Sequence, residues 1–452
     1  MNRNIMLIST LVLFYILTSG YSYAVCTQQP NGTIDPMVDC VWPRAACDGA
    51  TDDSAVFADA MNILNANGGT LKVPARTCLV NTTLDITRTQ GSISIHCAGP
   101  DYSCMLTTTS PDIPQIKATS AYPGVRRISI RGLVFYREVT PTIGGDAIDF
   151  SGWVDDSDIV NVIVYGGYNG IVLGPCSLSR ARNLLVVNAI IDNIVIKPNA
   201  GTPGNTLAWD LDSVGVGGAG RFGIYVTSEG TNDERVILGD WHIIQAWLNV
   251  QSAVSIQGVP GHSINDIRID KSWFCCSLND NWMIYINSQG GRHNRIQNST
   301  IETFYPYSVQ YGIGLDESNV DFTISDTKID GMYRSGIISY AQHLKLDGIM
   351  VTRNGWGVYP YEHGVEIGAG EVNISGLTAK DNYGDGIRIN GGTVVISSIW
   401  STGNGGYGLK TAVDDIYISG GVLLPNTAGA LYSPAYVNSK ICAVKGVSNK
   451  CK

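Results

Sequence analysis

One aliphatic side chain returns along the second half of this chain at nearly regular intervals. Leu238, Ile269, Ile296, Ile324, Leu346, Ile374, Ile396 and Ile418 are separated by 31, 27, 28, 22, 28, 22 and 22 residues. Repeats of roughly 20–50 residues mark solenoids and propellers, in which each unit buries its apolar face only against its neighbours. With the aliphatic as position zero, Asn354, Asn382, Asn404 and Asn426 fall at plus eight. Gly386 and Gly408 come four residues later and open the short segments Ile387-Arg388-Ile389 and Leu409-Lys410-Thr411; Gly364 and Gly336 take the same place in earlier coils. Coils of short strands, with alternate aliphatics pointing inward and tight turns between them, give this register. An Asn at one turn of successive coils can stack into a hydrogen-bonded ladder. Leucine-rich repeats would need regular Leu-x-x-Leu-x-Leu spacing, and propeller blades need about 40 residues. The pattern therefore predicts an all-β parallel β-helix.

No linker, charge block or low-complexity segment interrupts the 452 residues after the N-terminus, which predicts one long domain over 25–452. Residues 1–24 read as a secretory signal: Arg3, an apolar run from Ile5 to Leu17, then Ser22-Tyr23-Ala24 as a small-x-small cleavage pattern. That run is short for a membrane span and no other approaches the length needed. A secreted or periplasmic product without a membrane span is expected, and export permits disulfides. Of the 11 cysteines, Cys40/Cys47, Cys97/Cys104 and Cys442/Cys451 are close pairs, with Cys26 and Cys78 also near the start. The odd count leaves at least one thiol over, or an intermolecular bond. Cys275 and Cys276 are neighbours that can point to opposite faces of a strand. No Cys/His spacing resembles a zinc site. The net charge of -9, without a Lys/Arg cluster, argues against nucleic acid as a partner. A homotrimer stays open as an assembly.

Cys47-Asp-Gly-Ala-Thr-Asp-Asp53 leads into an amphipathic stretch, Ser54 to Asn67, with Val56, Ala60, Ile63 and Leu64 on one side. Asp52, Asp53 or Ser54 can cap it, and Gly68-Gly69 ends it before a strand. Such a helix suits the open first coil of a solenoid as a plug. The segment DGATDDSAVFADAMNILNANGGTLKVPA resembles the opening motif of the pectate-lyase-3 group of polygalacturonase-related proteins. The close match covers Cys47 to Val80, and beyond it the likeness is one of coil pattern. The resemblance implies a right-handed parallel β-helix acting on polysaccharide. Its members include hydrolases, lyases, epimerases and depolymerising tailspikes, so it leaves the reaction open.

In the aligned coils, zero, plus three and plus five point inward, so plus four and plus six face outward. The plus-four column reads His242, Trp273, Thr300, Lys328, Met350, Thr378, Trp400, and plus six reads Ile244, Cys275, Glu302, Asp330, Thr352, Lys380, Thr402. Neighbouring coils lie about 4.8 Å apart, so Glu302 and Asp330 should stack. Like charges that close raise one pKa, as a general acid requires. The alternative is a solvated pair neutralised by Lys328 or Arg334. Six extra residues follow Asn354 before Gly364, including Trp356, Tyr359, Tyr361 and His363, and the coil before carries Tyr305-Pro306-Tyr307. Insertions of this kind line the binding face of solenoids, and Trp and Tyr offer flat apolar surfaces with a polar edge to sugar rings.

The leading expectation is an endo-acting glycoside hydrolase with Glu302 and Asp330 as the carboxyl pair. His242, Trp273, Tyr305, Tyr307, Lys328, Arg334, Trp356, Tyr359, Tyr361 and His363 would hold substrate. It needs no metal or cofactor. A lyase or epimerase would use Lys328, Arg334 or His363 as base on a uronic acid, with calcium as a candidate neutralising ion. A third reading is a glycan-binding protein without catalysis. Glu362-His363-Gly364-Val365-Glu366-Ile367-Gly368 is similar to the His-Gly motif of polygalacturonases, and Gly386-Ile387-Arg388-Ile389 to their Arg-Ile-Lys motif. The acid pair of that mechanism is absent: Gly312-Ile313-Gly314-Leu315 and Ser335-Gly336-Ile337-Ile338 stand in its place.

Overall fold

The computed structural model describes residues 25–41, 44–87, 91–120, 124–197, 206–207, 209–228, 235–237, 239–277, 282–304, 309–357, 362–413, 416–433 and 440–446. The chain is a right-handed parallel β-helix. Fourteen strands, from Leu84–Asp85 to Gly429–Tyr432, pair in parallel into one continuous sheet. Most strands on the other sides belong to a second sheet that turns a corner along the coils, and Thr206–Leu207, Arg235–Ile237 and Ser263–Asn265 form a short parallel sheet of their own. Arg180–Val187, Asp210–Gly217 and Asp240–Trp247 pair along their length and bend at one left-handed residue each, Asn183, Ser213 and Ile243. In later coils Lys271, Asn298, Asp326, Gly348 and Gly376 occupy that corner. Asn, Asp and Gly tolerate positive φ, which explains most of the column.

The repeat is realised in register. Ile269, Ile296, Ile324, Leu346, Ile374, Ile396 and Ile418 face one another rung by rung, and none is more than 2% exposed. The plus-four and plus-six columns pair as expected from Trp273 and Cys275 onward. The first coil is a correction. Trp241, not Leu238, sits opposite Ile269, so the spacing is 28 residues rather than 31. The column expected an aliphatic, and a fully buried indole takes its place. His242 and Ile244 therefore leave the plus-four and plus-six columns, and Ile244 is in the core. Leu238 lies outside the described residues.

The asparagine ladder forms. Asn354 Nδ2 donates to Asn382 Oδ1 (3.0 Å), Asn382 Nδ2 to Asn404 Oδ1 (2.9 Å), and Asn404 Nδ2 to Asn426 Oδ1 (2.8 Å). Each Oδ1 also accepts the backbone N–H one coil earlier, Met332, Asn354, Asn382 and Asn404 in turn. Backbone groups at a buried corner, where no sheet partner reaches, are satisfied this way.

Helix Ser54–Asn67 buries Val56, Phe57, Ala60, Met61 and Leu64, while Ile63 is only partly covered. Asp53 is its N-cap residue but makes no side-chain cap. Its carboxylate instead accepts the N–H groups of Ala46 and Cys47, at 2.7 and 3.0 Å. The disulfides are Cys26–Cys40, Cys47–Cys78, Cys97–Cys104 and the adjacent Cys275–Cys276. Cys40 and Cys47 thus do not pair: Cys40 closes the first hairpin-like ladder and Cys47 reaches across a coil. Cys442 is also disulfide-bonded, to a partner outside the described residues. Cys176 remains a buried thiol whose pKa burial pushes up to about 12.

Two stability changes follow. Asn382→Ala orphans the Asn354 N–H and amide, and each buried group left unsatisfied costs about 1–3 kcal/mol. It should lower the denaturation midpoint more than Asn426→Ala at the half-buried end of the ladder, and equal losses would contradict a cooperative ladder. Ile243 has φ 56° with a β-branched side chain, a conformation that costs about 1–2 kcal/mol. Ile243→Asn should therefore raise the midpoint, by about 1 kcal/mol in stability; a fall would show that packing outweighs the strain.

Candidate functional site

Glu302 and Asp330 occupy adjacent rungs, but their surroundings differ. Trp273 Nε1 donates to Glu302 Oε1 at 2.7 Å. Asp330 is only 4% exposed. Thr352 Oγ1 (2.9 Å) and Arg353 Nε (2.8 Å) donate to its Oδ1, Arg353 Nη2 donates to Oδ2, and Lys328 Nζ is 3.0 Å from Oδ2. Burial favours the neutral acid, yet the bonds from Arg353, Lys328 and Thr352 outweigh it and hold the carboxyl below the usual range. Asp330 is therefore an ion-paired carboxylate and not the raised acid that stacking alone suggested. Arg353, supplied by the next coil, is the partner that spacing did not reveal.

The remaining predicted residues separate into several places. His242 stands opposite Asp270, with Nδ1 3.2 Å from Asp212 Oδ1 and Nε2 3.8 Å from Asp270 Oδ2. Trp356 packs edge-on against Tyr333, ring centroids 4.8 Å apart, and donates to Gly331 O at 2.9 Å. Tyr305, Tyr307, Tyr359 and Tyr361 lie outside the described residues. Arg334 turns away from Asp330: its Nη1 donates to Tyr311 Oη at 2.6 Å and lies 3.6 Å from Glu362 Oε1.

Arg334 leads to a second set of ionisable groups, on the 14-stranded sheet. Strands Ile337–Ser339, Val365–Ile367, Ile387–Ile389 and Tyr407–Thr411 place Ile338, Glu366, Arg388 and Lys410 in one column. Their flanking residues Ile337, Val365, Ile367, Ile387, Ile389 and Leu409 are in the core, so strand alternation turns the column outward. Burial raises the Glu366 pKa most and the nearby Glu362 adds to it, against the opposing pull of Arg388 and a 2.9 Å bond from Asn390 Nδ2. Ser335 Oγ donates to Glu362 Oε2 at 3.2 Å. Trp282 stacks on Tyr311, centroids 4.3 Å apart, beside this cluster. Glu366 and Arg388 fall in the two segments similar to polygalacturonase motifs, but spacing counted from the aliphatic zero position did not align them with Lys410 as one column. The glycine two residues before each also marks the outward position of the strand it opens.

His363 is almost wholly buried beneath the column. Arg388 Nη1 meets its Nε2 at 2.9 Å, and the Asp385 backbone N–H donates to its Nδ1 at 3.0 Å. The Asp385 carboxylate lies beside the same nitrogen, with Nδ1 3.4 Å from Oδ2, and donors standing against both ring nitrogens favour the neutral ring over the imidazolium. Burial first, then Arg388 and Lys410, pull the His363 pKa down to about 3. Burial also raises Asp385. Among the described residues one grouping of potential metal-ligand atoms occurs, Cys47, Asp53 and Cys78, and its sulfurs are joined in a disulfide. No described helix is long and apolar enough to cross a membrane.

No family model matches this sequence and no curated relative matches it; the pectate-lyase-3 likeness rests on the Cys47–Val80 motif alone. Solved structures do resemble it. The N-terminal fragment of bacteriophage Phi29 gene product 12 aligns with a TM-score of 0.53 and 13% identity, covering 90% of this chain and 72% of that one. PfbA, a surface adhesin of Streptococcus pneumoniae, gives 0.52 and 12%, covering 82% and 91%. The A-module of the Azotobacter vinelandii mannuronan C-5 epimerase AlgE6 gives 0.46 and 13%, covering 90% and 98%. At these identities the two likenesses above 0.5 establish the fold class, parallel β-helix, and nothing of the chemistry.

The buried neutral imidazole has a stability consequence. Its folded pKa of about 3 lies below the ordinary 6.5, so unfolding takes up a proton between those values. Its stabilising contribution is whole above pH 6.5 and is lost as pH falls toward 3, at up to about 1.4 kcal/mol per pH unit. Denaturation midpoints measured at pH 7, 5 and 4 should fall less steeply in His363→Gln than in the parent. Parallel slopes would remove His363 from this role.

Proposed function

We propose that the protein is an exported glycoside hydrolase that binds a polysaccharide along the outer face of the 14-stranded sheet, with Glu366 as general acid. The observation that carries this reading is the half-buried Glu366 carboxyl, raised by its surroundings, in an outward column beside a second carboxylate. A protonated Glu366 gives its proton to the leaving glycosidic oxygen, and Glu362, held by Ser335 and facing Arg334, takes a proton from the attacking water. Arg388 and Lys410 in the next two rungs offer donors to sugar hydroxyls or carboxylates. Trp282 stacked on Tyr311 provides an aromatic wall. Disulfides concentrated near the N-terminus support an oxidising compartment.

The lyase or epimerase alternative has less support. Of its candidate bases, Lys328 is bound to Asp330, Arg334 to Tyr311 and Glu362, and His363 is buried with Arg388 against its Nε2.

Reducing ends and ultraviolet absorbance followed together on neutral and acidic polysaccharides test the assignment. Reducing ends should appear without absorbance, and Glu366→Gln should lower kcat by about 10²–10⁴-fold. Activity should decline as pH rises through the raised Glu366 pKa. If Glu302→Gln abolishes turnover while Glu366→Gln leaves it, the acid belongs to the Glu302–Asp330 column instead. Ultraviolet absorbance would make the enzyme a lyase.

A further inference from the structure

The corner after the plus-six column holds a cavity of about 690 Å³. It is distinct from the outward column of Glu366, which lies farther along the chain in each coil. The corner positions Thr303, Gly331, Arg353, Asp381 and Gly403 all line it, one from each of five consecutive coils. At about 4.8 Å per coil the strip extends roughly 19 Å along the helix axis. A cavity that long and shallow suits a chain of small rings better than a single compact metabolite.

Its walls have a mixed chemistry. Phe304 and Tyr383 are 51% and 65% exposed, large fractions for aromatic side chains. Trp356 joins them with its ring orientation already set by the bond to Gly331 O and the contact with Tyr333. Rings fixed before binding lose little freedom when a ligand stacks on them. Arg353 and Asp381 supply a fork of donors and a carboxylate acceptor between the aromatic faces. The Arg353 guanidinium is itself anchored by the buried Asp330, which makes Asp330 a positioning residue for this strip. Glycines at Gly331 and Gly403 leave the floor without side chains. Apolar ring faces separated by hydrogen-bonding edges match the alternation of a sugar, whose C–H face is apolar and whose rim is hydroxylated.

We propose that this corner is a second, non-catalytic glycan-binding strip that holds a polysaccharide chain parallel to the helix axis while hydrolysis takes place on the neighbouring sheet. The proposal rests on the polysaccharide reading above but concerns separate residues and a separate measurement. Binding is read by electrophoretic retardation of the full chain in gels containing hydroxyethyl cellulose, laminarin, alginate or polygalacturonate. Hydrolysis is read in parallel from reducing ends released from short oligosaccharides of the same polymers. Tyr383→Ala and Phe304→Ala are chosen because both side chains are exposed, and Trp356→Phe keeps a ring while removing the indole bond.

The expected result is retardation of the parent and of Glu366→Gln by at least one polymer. Tyr383→Ala and Phe304→Ala should each weaken it about three- to tenfold, as loss of one aromatic contact implies, without changing turnover of short oligosaccharides. Unchanged retardation in the Tyr383→Ala, Phe304→Ala double variant would overturn the strip and leave the hydrolase reading standing. A parent that hydrolyses oligosaccharides but is retarded by none of the four polymers would do the same. Neither hydrolysis nor retardation would overturn both.

Discussion

A side-chain amide that accepts the backbone N–H of one coil while donating to the asparagine of the next is the interaction on which this architecture turns. Strand pairing alone would allow neighbouring coils to slip, because hydrogen bonds between parallel strands repeat along their length. The ladder from Asn354 to Asn426 removes that freedom at one corner, and the left-handed residues remove it at another. Once both corners are pinned, every outward column is determined. Glu366, Arg388 and Lys410 come into line because the asparagines and glycines before them do.

Carboxyl groups of similar intrinsic acidity take opposite roles within this frame. Asp330 and Glu366 both lose water on folding. Asp330 gains a guanidinium, an ammonium and a hydroxyl in return and stays ionised. Glu366 has Arg388 to offset burial, but it also feels Glu362 and Asp385, and the neutral form gains. The difference comes from one residue per coil, Arg353 in one corner and Glu362 beside the other column. Solenoids make such contrasts easy to build, since a column can change charge at every rung without disturbing the aliphatics behind it.

The fold was legible because its period is carried by residues with a single job. Ile296 or Leu346 can only be core, and Asn382 four residues before a glycine can only be a corner. Where one residue type substitutes for another in the same job, the reading slipped: Trp241 fills the place of an aliphatic, and the register of His242 moved with it. The candidate site was less legible. Stacking of Glu302 on Asp330 follows from spacing, but the ionisation of Asp330 depends on Arg353, whose left-handed backbone folds it back onto the preceding rung. The disulfides show the same limit, since Cys47 is nearer in sequence to Cys40 than to the Cys78 it bonds.

A stack in which each coil leans on its neighbours has two weak points, its ends, because a terminal coil has one neighbour instead of two. The disulfides cluster there. Cys26–Cys40, Cys47–Cys78 and Cys97–Cys104 close the first coils around the plugging helix, and Cys442 ties the last described strand. Reduction would remove little from the middle of the stack and much from its termini. Redox poise would then govern how many coils are zipped, eroding the molecule inward from its tips like a rope that has lost its whippings, while the coils midway along the stack persist longest.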